Sequence, residues 1–490
     1  MFNPCKLWTS VIAALSTQAA LAGPVIGNIR ELEVRVWTAE DSQIPGLEKE
    51  VTQLLQVDPR SVAAHQLLSH VFVRLFTRDP SDIYILRQAA DLAQQAVDLA
   101  PSDPAGYAAL ADILDLMGNT EGAVKLLSQA EAKGIKPNWR FAFTRARLIA
   151  DNGGGEKVLG LLRQALSQPG AETRIIVPYI VAILQSDDTG RQLITKLDQW
   201  NNSFPSPLFD LTLAITYTEL GEFQKAHNIY NEMLSTNASN TEAEINNAII
   251  LYRDLNQPKK ASILLESVLA KHKDELSSNL RATITGHLGA AYVRQSDWER
   301  AKKSFVTAMA VEKENQNLID FIGRTYKQAN APAKLALLLT ELNNGPNGHG
   351  ILHAMLGEIL SEKLHRHDEA VHAYTDAIIL DPNRSDFYTG MGLALYRKKS
   401  YSAALKVFVT AAELDPNDPI SRYNQACVLA LLGRSDESLN SLAEAITLDP
   451  RLAATAKLDH DFSGLNNSAK FRRVLQDSPA IRGLEFDLAH

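Results

Sequence analysis

Five of the twelve histidines crowd into one stretch of this sequence: His349, His353, His365, His367 and His372. Imidazole nitrogen is a common transition-metal donor, and residues four apart on a helix share a face. His349 and His353 therefore have a spacing that can hold a metal. Against this, His353 falls where a bulky packing residue belongs, and His365 and His367 fall in a turn. The cluster reads as solvated side chains, with no metal assigned. Other constellations that do chemistry are missing. There is no G-x-S-x-G elbow, no H-E-x-x-H, no cysteine pair at metal spacing and no dinucleotide fingerprint. The Asp and Glu residues sit mainly at helix starts and outer faces, where capping and solvation account for them. No catalytic residue, enzyme activity or cofactor is expected.

The elements that could position anything here are helical. Apolar residues make up 45% of the 490-residue chain, with Ala and Leu dominant and aromatics only 7%. Unbranched side chains lose little rotamer freedom in a helix. A formal net charge of −8 offers no basic field for nucleic acid or anionic lipid. Nucleic-acid binding is not expected, and membrane association only through a partner. Lys6, a mostly apolar run over 7–20 and the small-x-small Ala20-Leu21-Ala22 ahead of Gly23 read as a signal peptide, 1–22. Cys5 leaves with it, so Cys427 cannot pair within the mature chain and reads as a small buried helix residue. An export signal without disulfides fits a bacterial periplasm, so the expected location is periplasmic or secreted.

Three segments, Leu380-Asp381-Pro382-Asn383, Leu414-Asp415-Pro416-Asn417 and Leu448-Asp449-Pro450-Arg451, recur 34 residues apart. Between them Gly392, Ala404, Phe408, Ala411 and Pro416 map, by the same 34, onto Ala426, Ser438, Leu442, Ala445 and Pro450. Small residues let two helices approach, large apolar ones fill the remaining volume, and a proline without an amide donor stops the second helix. This frame resembles the tetratricopeptide repeat, in which helices A and B form a hairpin that stacks on the next. Carried backwards, the small eighth position falls on Gly357, Gly323, Gly289, Ala248, Ala214, Ile180, Ala146 and Ala111. The step from Ala248 to Gly289 is 41, which implies a longer turn or helix around 271–279. Pro178 and Ile180 predict a distorted repeat, and an enlarged turn is expected over 77–87. Gly153-Gly154-Gly155 reads as a turn between helices.

The resemblance implies an all-α, right-handed superhelical solenoid of about eleven helix-turn-helix units. The expected divisions are divergent helices over 23–104, an array with one distorted repeat over 105–205, and arrays over 206–342 and 343–452. A capping helix and tail then follow over 453–490. In the resembled fold helix A lines a concave groove. Positions twelve and thirteen hold Tyr252-Arg253, Val293-Arg294 and Tyr396-Arg397, while Asp320, Arg324 and Lys327 stand at five, nine and twelve. Tyr and Arg are favoured interface anchors, which makes Tyr252, Arg253, Arg294, Asp320, Arg324, Tyr396 and Arg397 the candidate protein-binding residues. Asp320 and Arg324, four apart, can also pair locally. The family's Lys/Asn carboxylate clamp is missing, since the aligned places hold Ile245, Gly286, Thr389 and Tyr423. The resemblance thus implies a scaffold or adaptor of the periplasm or envelope, in secretion, polysaccharide export or envelope assembly, with other proteins as partners. Two other readings stand beside it: a metal- or ligand-binding solenoid using the His349–His372 cluster, and an accessory subunit of a separately encoded enzyme.

Overall fold

A computed structural model describes residues 41–78, 82–150, 155–236, 240–273, 276–311, 315–344 and 348–476, together with 32, 35, 36, 39 and 80. The expected signal peptide lies outside them. Every regular element among the described residues is a helix, and none is long and apolar enough to cross a membrane. Packing divides the chain into two compact units, Met1–Asn240 and Thr241–His490, a break inside the array expected over 206–342.

The first unit runs α1 Ile44–Val57, α2 Val62–Arg78, α3 Ile83–Leu99, α4 Pro104–Leu116, α5 Thr120–Ala132 and α6 Trp139–Ala150. It continues with α7 Gly155–Leu166, α8 Thr173–Asp187, α9 Gly190–Ser203, α10 Pro207–Glu219 and α11 Phe223–Thr236. The second unit runs α12 Thr241–Arg253, α13 Pro258–Lys271, α14 Ser278–Arg294, α15 Trp298–Val311, α16 Gln316–Gln328 and α17 Pro332–Asn344. It goes on through α18 Gly350–Glu362, α19 His367–Leu380, α20 Ser385–Arg397, α21 Tyr401–Leu414, α22 Pro419–Leu431 and α23 Ser435–Leu448. The short α24 Leu452–Leu458, a 3-10 turn His460–Leu465 and α25 Ala469–Gln476 close it. From α2 to α23 the even-numbered helices are A and the odd-numbered ones B. This is a helical-repeat solenoid.

The repeat frame accounts for the pairing. A Cβ on Gly392 of α20 would stand 2.5 Å from the Phe408 ring of α21, and one on Gly289 of α14 would stand 2.9 Å from Phe305 of α15. At these two places the missing Cβ makes room for the aromatic ring that closes the hairpin. Ala404, Phe408 and Ala411 are fully buried on the facing helix. The A–B turns pass through a left-handed residue, Ser296, Asn330, His365, Lys399 and Gly433 in successive repeats. The very next amide then reaches back into the finished helix, as in Asp297 N to Tyr292 O at 3.0 Å and Ser400 N to Leu395 O at 2.9 Å.

Several local expectations change. The enlarged turn over 77–87 is short, because α2 continues to Arg78 and the Asp82 carboxylate accepts from Tyr84 N at 3.1 Å to start α3. Pro178 lies inside α8 without ending it, near enough to the N-terminus that the missing donor costs one early bond. The 41-residue step becomes a six-residue connection and a one-turn extension of α14, which is capped by Ser277. In place of one capping helix, the C-terminal segment is broken into α24, the 3-10 turn and α25. Phe462, Leu465, Phe471 and Leu475 bury themselves there against α22 and α23.

Candidate protein-binding face

Residues seven apart on a helix lie on one stripe. In the second unit's A helices this stripe pairs His287 with Arg294 on α14, Phe321 with Gln328 on α16, Met355 with Glu362 on α18 and Gly390 with Arg397 on α20. Lateral contacts join the stripes into one face. The Tyr252 hydroxyl of α12 lies 2.9 Å from His287 Nδ1, and the His287 ring meets Phe321 edge-on at 5.0 Å. A Cβ on Gly323 would touch Met355 Cε at 3.4 Å. Arg397 reaches back to Glu362 at 2.9 Å and Ser361 Oγ at 3.3 Å, and Thr389 Oγ1 meets Ser421 Oγ of α22 at 2.8 Å.

The candidate residues take different places on this face. Tyr252 is only 6% exposed, and burial pushes its phenol up to about 12. It is a strut holding α12 to α14, with its hydroxyl already engaged. Arg253 is exposed and pairs with its neighbour Asp254 at 2.8 Å. Arg294, Arg324 and Lys327 are exposed and carry no ion pair among the described residues. Asp320 does not pair with Arg324; it accepts from Gln316 Nε2 at 2.8 Å instead. The Tyr396 hydroxyl contacts both carboxylate oxygens of Asp461, at 3.0 and 2.8 Å, so it too is internally committed. Half-buried Ile249, Phe321, Ile351 and Met355 leave an apolar floor between the charges. Burial, helped by Arg253, pushes His287 down to about 4, so the floor is uncharged at neutral pH.

The face ends at α22, where the 3-10 turn folds over it. The Tyr423 hydroxyl donates to Asp459 at 2.8 Å, the Cys427 thiol lies 3.7 Å from the same oxygen, and Phe462 is fully buried against Tyr423. Ligand atoms of Cys427, Asp459 and Asp461 lie within 4.8 Å of one another, a donor set that could take a cation. Burial and the two carboxylates push the thiol far above its ordinary range, which keeps it protonated and poor as a nucleophile. The five clustered histidines form no such group. His353 stands 3.8 Å from Asp376, His365 occupies a left-handed turn position, and His367 faces Ser361 Oγ at 3.4 Å.

The first unit hides polar residues that sequence reasoning missed. Arg147 is clamped by Asp112 at 2.8 Å and Asp115 at 2.9 Å; burial works against its charge and the carboxylates outweigh it. Arg74 donates to the carbonyls of Val36 and Ala39, at 3.1 and 2.7 Å, and pins that segment onto α2. Buried His70 contacts buried Arg140. Polar Gln66, His70 and Arg74 at four-residue steps along one stripe of a largely buried helix were the available signal.

Tetratricopeptide-repeat family models match residues 362–419 and 420–452. TPR repeat-containing thioredoxin TTL4 of Arabidopsis thaliana is 39% identical over 85 residues, 17% of this chain and 12% of its own length. BBSome complex member BBS4 of Mus musculus is 25% identical over 234 residues, 48% of this chain and 43% of its own. The chain thus spans less than half the length of either relative. The solved structure of yeast Tom70 aligns over 94% of this chain and 99% of its own, at 15% identity and a TM-score of 0.30. Residues 362–452 thus match the tetratricopeptide repeat, and the 34-residue frame and stacked helical hairpins carry that repeat architecture along the described chain.

Proposed function

We propose that the chain is a non-enzymatic scaffold of the periplasm or cell envelope, binding an extended segment of a partner protein across the A helices α12 to α20. Tetratricopeptide repeats serve as protein-interaction scaffolds. One observation supports the placement: exposed arginines on successive A helices stand beside a half-buried apolar floor, the combination of directional charge and desolvated area that interfaces favour. Membrane association goes through the partner. The test is capture of envelope proteins by the full chain and by an Arg253→Ala, Arg294→Ala, Arg397→Ala variant of unchanged helicity. Capture should fall by about tenfold or more; undiminished capture would move the site off this face.

The export reading rests on the 1–22 segment alone. Mass analysis of protein recovered from the envelope fraction should read an N-terminus beginning at Gly23. A full-length cytosolic product would withdraw the location and leave the scaffold reading standing.

A further inference from the structure

The charges on the inner face are unevenly matched. At one end Arg253 is neutralised by Asp254, and at the other Arg397 is neutralised by Glu362. Between them Arg294 on α14 and Arg324 and Lys327 on α16 are exposed and unpaired among the described residues. The acids nearby form no ion pair with them among the described residues: Asp320 accepts from Gln316 at 2.8 Å, and Glu358, raised by burial, interacts with Lys327 only through space. The floor beside the free cations, Phe321 with His287 on one side and Met355 on the other, is apolar or neutral.

We infer that this stretch recognises an acidic peptide: an extended segment whose carboxylates pair with Arg294 and with Arg324 and Lys327, and whose intervening apolar side chain rests on Phe321. The inference rests on the scaffold reading and deepens it. Packed helices stand roughly 8–10 Å apart, and a chain extended as polyproline II advances about 3.1 Å per residue with about three residues per turn, so carboxylates about three residues apart lie on one side and meet cations on neighbouring helices. Arginine favours carboxylate through bidentate hydrogen bonds, and the adjacent apolar floor strengthens each pair by excluding water. A nucleic-acid strand fits less well. Three cations are a short track for a polyphosphate, and the chain carries a net charge of −8.

The experiment is selection of a random displayed peptide library on the full chain, with an Arg294→Ala, Arg324→Ala variant as counter-selection. Both residues are exposed, so the variant keeps its helicity. Sequences enriched on the wild type should carry Asp or Glu about three positions apart with an apolar residue between. By fluorescence anisotropy they should bind the double variant about tenfold or more weakly, and lose affinity from roughly 50 to 300 mM salt. An Arg294→Glu, Arg324→Glu variant should turn the preference toward basic peptides. Enrichment of neutral or basic sequences, no enrichment over the double variant, or tighter binding of a labelled single-stranded oligonucleotide would overturn the inference. If envelope capture still depends on Arg253, Arg294 and Arg397 while no acidic peptide is selected, the scaffold reading survives and this one does not.

Discussion

Burial pushes the Asp461 carboxyl above the ordinary carboxylate range and Asp459 adds to this, while the Tyr396 hydroxyl, the Cys427 thiol and His460 pull it back. The sign of the consequence follows from linkage. A carboxyl raised on folding binds its proton more tightly in the folded state. Its contribution to stability is therefore greatest in acid and declines as pH rises from the usual aspartate value through the raised one. Asp461→Asn keeps an acceptor for Tyr396 and removes the titration. Urea unfolding of wild type and variant from about pH 4 to neutrality should show the variant gaining on the wild type as pH rises. A variant that instead loses ground as pH rises would mean that the tyrosine bond, not burial, governs this carboxyl.

Glycine acts oppositely in two helices, for reasons the hairpin geometry makes plain. Gly160 lies exposed inside α7 with nothing within 4 Å of where a Cβ would be. Gly160→Ala should stabilise by about 0.5–1 kcal/mol through the lower backbone entropy of alanine in a helix. In α20, Gly392→Ala would place its methyl 2.5 Å from the Phe408 ring. Forcing that ring out of a filled core costs roughly 1–3 kcal/mol, more than the helix gains. Paired thermal melts decide it. Equal shifts for the two variants would mean that α20 and α21 do not close on one another as described.

Within each unit a repeat leans chiefly on its sequence neighbours, so stability is held locally and summed along the stack. The C-terminal turn matters because it covers the last hairpin. Phe462, fully buried against Tyr423 and Phe471, is the centre of that cover. Phe462→Ala should cost about 3–5 kcal/mol. Hydrogen exchange should quicken in α22 to α25 and leave α12 to α15 protected. Uniform acceleration across the second unit would show it to be one cooperative block, and peptide selection on Phe462→Ala would then lose its signal as well.

The order and pairing of helices were legible because the residues that enforce them recur. Small residues where helices A and B touch, and large apolar ones facing them, return at a spacing near 34 residues, and this lets each hairpin stack on the last. Arg253, Arg294 and Arg397 could be placed on one stripe for the same reason. What each side chain touches was decided between helices. Tyr252 finds His287 35 residues away, Tyr396 finds Asp461 65 residues away, and Cys427 meets Asp459 across 32. Such contacts carry no period, because they depend on how one A helix leans on the next and where the chain turns back at its end. Tyrosines that read as anchors are thereby spent on struts, while the unpaired Arg294, Arg324 and Lys327 stand out only once their neighbours' partners are known. Periodic sterics are local and written into composition, whereas pairing of charges is settled by proximity in space, which the repeat alone does not specify.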